Sequence, residues 1–296
     1  MSAPILVLGD VMTDVVALAE ATPVRGSDVA AQVSSRGGGS AANLAAWLAV
    51  SGRPVTMIAR VGADAWGDAA IDDLRNAGVT TRIARDPEAS TGTCIVLVEP
   101  DGERTMLPDP GANNRLVPAD VPLDLFARGA HLHVSGYSLL RDGSRPAALL
   151  ALATARDAGM TVSVDMSSAA PLALVGADRF LAWACPADIG FANHDEATAL
   201  TGLADATLAA RALAARFALA VVKVGEHGAL AEDATGGTWS APAARTAGES
   251  IDTTGAGDAF AAGFLAAWTL GAPPGEALEQ GATLAGRAVA TVGGRP

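Results

Sequence analysis

Short apolar runs closed by glycine, proline or aspartate recur along this chain, and their spacing predicts its elements. Ile5 to Leu8 ends at Gly9-Asp10, as a buried parallel strand does. Val15 to Leu18 and Val29 to Val33 flank a loop holding Pro23 and Gly26, and predict two more strands. Gly37-Gly38-Gly39-Ser40 opens into a helix over Ala41 to Val50, which Gly52 and Pro54 close. Val55 to Val61 is strand-like, and Trp66 to Asn76 is a helix ended by Gly78. Thr93 to Glu99 and Arg104 to Leu107 surround Pro100-Asp101-Gly102, a hairpin turn.

From His131 onward the period alternates. Strands are predicted over Leu132 to Ser135, Thr161 to Asp165, Ile189 to Ala192 and Leu219 to Val224. Helices are predicted over Arg145 to Ala158, Glu196 to Thr201, Leu208 to Phe217, Ala259 to Leu270 and Glu276 to Thr291. Strand–helix alternation implies right-handed βαβ units around a mostly parallel sheet. The two early strand pairs, near 15–33 and 93–107, fall outside that rhythm and can pack as a small separate sheet. No low-complexity linker divides the chain. The expectation is one α/β domain over 1–296 with a lid inserted at those two places.

Composition narrows the function. Half of the 296 residues are hydrophobic and 18% are charged, as in a folded protein. A net charge of −12 argues against a nucleic-acid or anionic-lipid face. Cys94 and Cys185 are the only cysteines and have no CxxC spacing, which disfavours a disulfide scaffold or a zinc site. Met1-Ser2-Ala3-Pro4 leads into Ile5 without a basic region or cleavage site, and no apolar run spans a bilayer. The expected location is the cytoplasm, with no membrane partner.

The chemistry concentrates at Asp252-Thr253-Thr254-Gly255-Ala256-Gly257-Asp258, which runs into the apolar helix. Glycines allow close backbone approach, and a helix start offers unpaired N–H groups with a partial positive charge. That makes an anion site. Asp258 beside it suits a base that takes a proton while negative charge builds up, as in phosphoryl transfer from ATP to a hydroxyl. The helix start is expected to keep Asp258 ionised. An ordinary capped helix is the competing explanation.

Other segments carry weaker signals. Gly37-Gly38-Gly39-Ser40-Ala41-Ala42-Asn43 suits vicinal hydroxyls, or is simply a flexible loop with a cap. Asp14 lies beyond the first strand, where open α/β sheets bind ligands, and Asp10 can cap the same turn. Asn193 and Glu196, three apart, can hold Mg²⁺ through water or cap a helix. Asp165, at a strand end, can join them. Lys223 precedes Gly225 and Gly228, and either touches a phosphate or faces solvent. His131 and His133 share one strand face and lack a third metal ligand. There is no GxxxxGK[ST], no GxGxxG after the first strand and no Gly-x-Ser-x-Gly.

Taken together, the Asp252–Asp258 string, the Gly37–Asn43 string, Asn193-x-x-Glu196 and the Lys223–Gly228 loop resemble the ribokinase family, the phosphofructokinase-B type carbohydrate kinases. The resemblance spans nearly the whole chain. It implies a ribokinase-like three-layer α/β/α fold with a mostly parallel central sheet and a small β-sheet lid. It implies a catalytic base at Asp258 and an anion hole at Gly255, Ala256 and Gly257. Asp14, Gly38, Gly39, Asn43 and Asn113 (in Gly111-Ala112-Asn113, otherwise a plain turn) would bind the sugar. Asn193, Lys223, Gly225 and Gly228 would face the nucleotide. Glu196 would serve Mg²⁺, while Asp252 and Thr254 would bind K⁺ beside the anion hole. ATP and Mg²⁺ are the implied cofactors, and a homodimer through the lid is the expected assembly. The implied activity is transfer of the γ-phosphoryl of ATP to a primary hydroxyl of a free sugar. Gly136-Tyr137-Ser138-Leu139 lacks the glutamate that some ribokinases bear there, and Ser40 replaces a common lysine. A nucleoside kinase, with Tyr137 stacking on a base, and a non-catalytic sugar- or nucleotide-binding protein are the alternatives.

Overall fold

Strand β1 (Ile5–Leu8) shows how the layers arise. All four side chains are buried. Ile5 and Val7 point into one core, and Leu6 and Leu8 into another, because successive strand residues face opposite sides. A strand apolar on both faces must be covered by helices on both. The computed structural model describes residues 4–101, 103–244, 252–291 and 293–296. Gly102 of the expected hairpin turn and Met1 to Ala3 lie outside the described residues.

Following β1 come β2 (Met12–Ala19), β3 (Ala31–Gly38), α1 (Ser40–Val50), β4 (Val55–Gly62), α2 (Ala65–Asn76) and β5 (Thr80–Asp86). Then β6 (Gly92–Val98) and β7 (Arg104–Asp109) lead to β8 (His131–Ser135), α3 (Gly136–Leu140), α4 (Arg145–Asp157) and β9 (Thr161–Asp165). The second half holds α5 (Ala169–Val175), α6 (Ala177–Ala184), β10 (Ile189–Asn193), α7 (His194–Thr201), α8 (Ala206–Ala214) and β11 (Leu219–Lys223). It ends with β12 (Ala229–Asp233), β13 (Thr238–Ala241), α9 (Ala256–Trp268) and α10 (Pro274–Ala288).

The large sheet has nine strands in the order β13-β12-β11-β10-β9-β8-β1-β4-β5. It is parallel from β5 to β11, and β12 and β13 run antiparallel. Helices α1, α2, α9 and α10 cover the face of Ile5 and Val7, and α4, α6, α7 and α8 the other. This is the three-layer α/β/α arrangement that the resemblance implies. The chain winds outward from β1 in both directions, through β4 on one side and β8 on the other. The crevice at the carboxyl ends of β1 and β8 is therefore the ligand-binding position of such a sheet.

The two early strand pairs form one separate sheet, β3-β2-β6-β7, with β2 and β6 parallel. Its inner face is Met12, Cys94 and Val96. On its outer face Val33, Ile95 and Leu107 are exposed.

Some elements depart from the expected bounds. The β2–β3 ladder continues to Met12 opposite Gly38, so Gly37 and Gly38 are strand and not loop. β5 and β13 are edge strands carrying little apolar alternation, and α3, α5 and α6 are short helices without a clear period; none was expected. Helix α9 starts at Ala256, three residues earlier than predicted. That shift puts Asp258 inside the first turn.

Candidate active site

A cavity of about 1150 Å³ opens at the carboxyl ends of the central strands, beneath the small sheet. Its floor is the entrance to α9. Gly255 caps that helix with φ 73°, a left-handed turn natural to glycine. Any side chain there would also collide with Gly294. The backbone of Gly255, Ala256 and Gly257 lines the cavity beside Asp258. Lys223 reaches this floor from the end of β11, against Gly257.

Helix α1 holds Asp258. Ser40 Oγ donates to its Oδ1 at 2.8 Å, and Asn43 Nδ2 donates to its Oδ2 at 2.9 Å. Burial nonetheless dominates. It raises the Asp258 pKa to about 7, with Asp165 adding to the rise while Asn43, Ser40 and Lys223 oppose it. The helix start is expected to favour the ionised form, but desolvation in the recess outweighs the dipole and leaves the group poised near neutrality.

The acceptor end lies under the small sheet. Asp14 sits on β2 against Gly38, where a side chain would displace its carboxylate. Burial raises its pKa to about 6, Arg295 pulls it down, and Asp10 and Asp252 push it up. Gly39 caps α1 at φ 93°, and a Cβ there would strike the Asp10 carbonyl. Asp10 itself accepts from Ser40 N–H at 3.0 Å and Ser135 Oγ at 2.9 Å. Met12, Cys94, Met106 and Pro108 form the cover. Asn113 is not among the lining residues. Its amide donates to Val11 O at 2.9 Å and Pro110 O at 3.0 Å and accepts from Val11 N–H at 2.9 Å, so it braces the β1–β2 turn.

At the other end, Asn193 and Glu196 form a capping box. Each backbone N–H donates to the other's side chain at 2.8 Å, and Asn193 Nδ2 donates to Glu196 Oε1. Both line the cavity. Glu196 is raised in pKa by burial and by Asp165. Lys223 Nζ pairs with Asp165 Oδ2 at 2.9 Å. Burial works against its charge, yet Asp165 and Glu196 hold it protonated above the ordinary lysine range. Gly225 and Gly228 adopt positive φ and line the cavity together with Ala282, Ala285 and Gly286 on α10 and Val289 just after it.

Asp252 and Thr254 do converge, but what faces them is the guanidinium of Arg104 from β7. As donors for K⁺ they are already engaged by a protein cation. No group of three acidic, histidine or cysteine side chains among the described residues forms a metal cage. Asp165 and Glu196 fit a hard cation that keeps its waters and binds chiefly to phosphates.

Sequence reasoning missed two lining residues, Arg141 and Ser167, and Arg295, which braces the acceptor end from outside the cavity. Arg141 stands 5.0 Å from the Tyr137 ring centroid and lines the cavity. Ser167 holds φ 71° without being glycine, and its Oγ accepts from Tyr137 N–H at 3.0 Å. Arg295 donates to Gly38 O at 2.8 Å and pairs with Asp73. Arg141 and Ser167 belong to no periodic or glycine-rich string, and Arg295 follows Gly293-Gly294 at the far end of the sequence from the strand it meets. His131 and His133 lie away from the cavity, bonded to Thr161 and Ser163 at 2.8 Å and held neutral by burial.

A family model described as pfkB family carbohydrate kinase matches residues 2–296. An ATP-dependent ribose-1-phosphate kinase from Halopiger xanaduensis is 36% identical, over 85% of this chain and 81% of the relative. A fructokinase from Klebsiella pneumoniae is 32% identical over 90% and 84%. Among solved structures, adenosine kinase from Sinorhizobium meliloti superposes with a TM-score of 0.90 at 27% identity, over 100% of this chain and 96% of that one.

Proposed function

Because the chain belongs to the pfkB family of carbohydrate kinases and is an ATP-dependent sugar kinase, we propose that its acceptor is the primary hydroxyl of a free, uncharged sugar. The observation that carries this reading is Asp258, fixed by Ser40 and Asn43 at the lip of the Gly255–Gly257 turn. A hydroxyl placed there gives its proton to Asp258 as the oxygen takes the phosphoryl group, and ADP leaves. The N–H groups of the turn, with Lys223, stabilise the transferring charge. Asp14 and Asn43 orient the sugar's remaining hydroxyls. Mg²⁺ would supply charge neutralisation at the phosphates, with Asp165 and Glu196 as the groups to hold it through water. The uncharged cover of Met12, Cys94, Met106 and Pro108 keeps water out.

Carboxylates dominate the acceptor end, with Asp10 and Asp14 both lining it, which favours a neutral substrate over a phosphorylated one. One observation favours a second reading. Arg141 lines the cavity with no carboxylate partner among the described residues, and a relative is named for ribose 1-phosphate. A coupled ADP-release assay separates the two, run with D-ribose, D-fructose, ribose 1-phosphate and adenosine. Free sugars are expected to turn over best. Turnover of ribose 1-phosphate alone, lost at least tenfold in Arg141→Ala, would establish the second reading instead. Pairing of two copies through the outer lid face finds support in exposed Val33, Ile95 and Leu107.

A further inference from the structure

The anion turn is tied down by one carboxylate. Asp252 Oδ1 accepts from Thr254 N–H at 2.7 Å, and its Oδ2 accepts from Gly293 N–H at 2.9 Å. Its own N–H donates to Val289 O at 3.3 Å. Asp252 thus joins the approach to Gly255 to the C-terminal segment that packs beneath Gly255. Burial pushes its pKa up, but the two N–H groups and Arg104 hold it below the usual carboxylate range. It stays charged and needs a cation.

That cation comes from the other sheet. Arg104, the first residue of β7, places Nη1 2.7 Å from Asp252 Oδ1 and 2.7 Å from Thr254 Oγ1. The side chains are 26% and 12% exposed, which sets the pair apart from surface ion pairs that contribute little. The same strand supplies Met106 and Pro108 to the cavity's cover. One guanidinium therefore links the strand over the acceptor to the turn beneath the phosphates.

We propose that Arg104 is a positioning residue for phosphoryl transfer: its guanidinium is the resident cation of the Asp252–Gly255 approach and completes the anion turn when the small sheet covers the acceptor. The inference rests on reading Gly255–Gly257 as the anion hole. It also assigns to a side chain the charge that the family resemblance gives to K⁺. A fixed guanidinium differs from a free ion in one respect. Its position depends on the lid, so order in the turn and coverage of the acceptor become one event.

The test compares wild type with Arg104→Ala and Arg104→Lys, in K⁺, Na⁺ and choline salts at fixed ionic strength. Wild-type kcat is expected to be the same in all three. Arg104→Ala should lose roughly tenfold to a hundredfold in kcat, because small misplacements at a reacting centre cost that much. Added K⁺ or methylguanidinium should restore part of the loss, with Arg104→Lys lying in between. Hydrogen exchange of amides 252–257, measured without substrate, should be faster in Arg104→Ala. The inference is overturned if wild type is activated by K⁺, if Arg104→Ala keeps wild-type kcat, or if its loss resists every cation while exchange stays unchanged. Failure of the kinase reading would look different: wild type would turn over no sugar, whereas the exchange comparison would still report on the latch.

Discussion

With Asp258 as the proposed base, its raised pKa should make the rate a titration curve that a single hydroxyl controls. With a pKa of about 7, the base is ionised in roughly a tenth of molecules at pH 6 and nine-tenths at pH 8. At saturating MgATP, kcat/KM for the sugar should rise about tenfold per pH unit below the midpoint and level off above it. Ser40 Oγ donates to the ionised carboxylate at 2.8 Å and so lowers the pKa. Ser40→Ala removes a hydrogen bond to a charged group, about 1.5–3 kcal/mol, which at 1.36 kcal/mol per unit moves the midpoint up by roughly one to two units. The backbone N–H of residue 40 still donates to Asp10, so the cap of α1 survives. At pH 7 the variant should be about fivefold to fiftyfold slower, and near pH 9 it should regain most of the difference. A loss of packing would lower the rate equally at every pH. The same midpoint in wild type and Ser40→Ala, or a rate that rises toward acid, would refute the assignment of Asp258 as base.

Two further outcomes follow from the same buried charges. Asp258→Asn should lose about 10²- to 10⁴-fold in kcat while keeping its nucleotide Kd by calorimetry, and retention of more than about a third of kcat would defeat the mechanism. It should also gain stability at pH 8. A carboxylate whose folded pKa lies above its unfolded value binds more protons when folded, so its contribution falls as pH rises from about 4 to about 7. The Tm gain over wild type should accordingly shrink toward pH 4; a constant gain would contradict the shift. Lys223→Met leaves Asp165 and Glu196 without their shared cation and should destabilise by about 3–5 kcal/mol in urea unfolding. Adding Asp165→Asn should recover much of that loss, and strict additivity would argue against the pairing.

The fold was legible where burial imposes a period. Ile5 to Leu8 and Ile189 to Ala192 are apolar on both faces because helices cover both, Thr161 to Asp165 buries Val162 and Val164 on one face and bonds Ser163 to two histidines on the other, and the bounds of all three hold to within a residue. Edge strands lack that pressure. β5 pairs only with β4, carries Ile83 as its one large apolar residue, and so reads as a loop. The α9 boundary slipped for a different reason. Ala256 and Gly257 read as turn residues, yet Gly255 in the left-handed region caps the helix and lets it begin at once. Three residues of helix decided whether Asp258 precedes the first turn or sits within it.

The site was legible to the extent that local backbone chemistry builds it. Gly255, Gly39, Gly225 and Gly228 stand in short strings and adopt left-handed conformations that glycine takes freely, and the structure brings all of them, with Ala256 and Gly257, to one cavity. The residues that govern those strings came through contacts no string records. Ser40 and Asn43 meet Asp258 across more than two hundred positions of sequence, Arg104 meets Thr254 across 150, and Arg295 meets Asp73 across 222. An arginine on an edge strand looks like any solvated charge until its partner is known, and only the packing of the small sheet over the α9 entrance supplies the partner. The same holds for charge states. Position at a helix start argued for an ionised Asp258, whereas the recess formed by α1, α9 and β11 sets its pKa near neutrality. A base poised near the working pH accepts a proton readily and releases it to solvent after each turnover. On the proposed mechanism, burial that costs stability at Asp258 would serve the reaction, and Ser40 and Asn43, which oppose the rise in its pKa, are two side chains whose sequence signal is no more than that of an ordinary helix start.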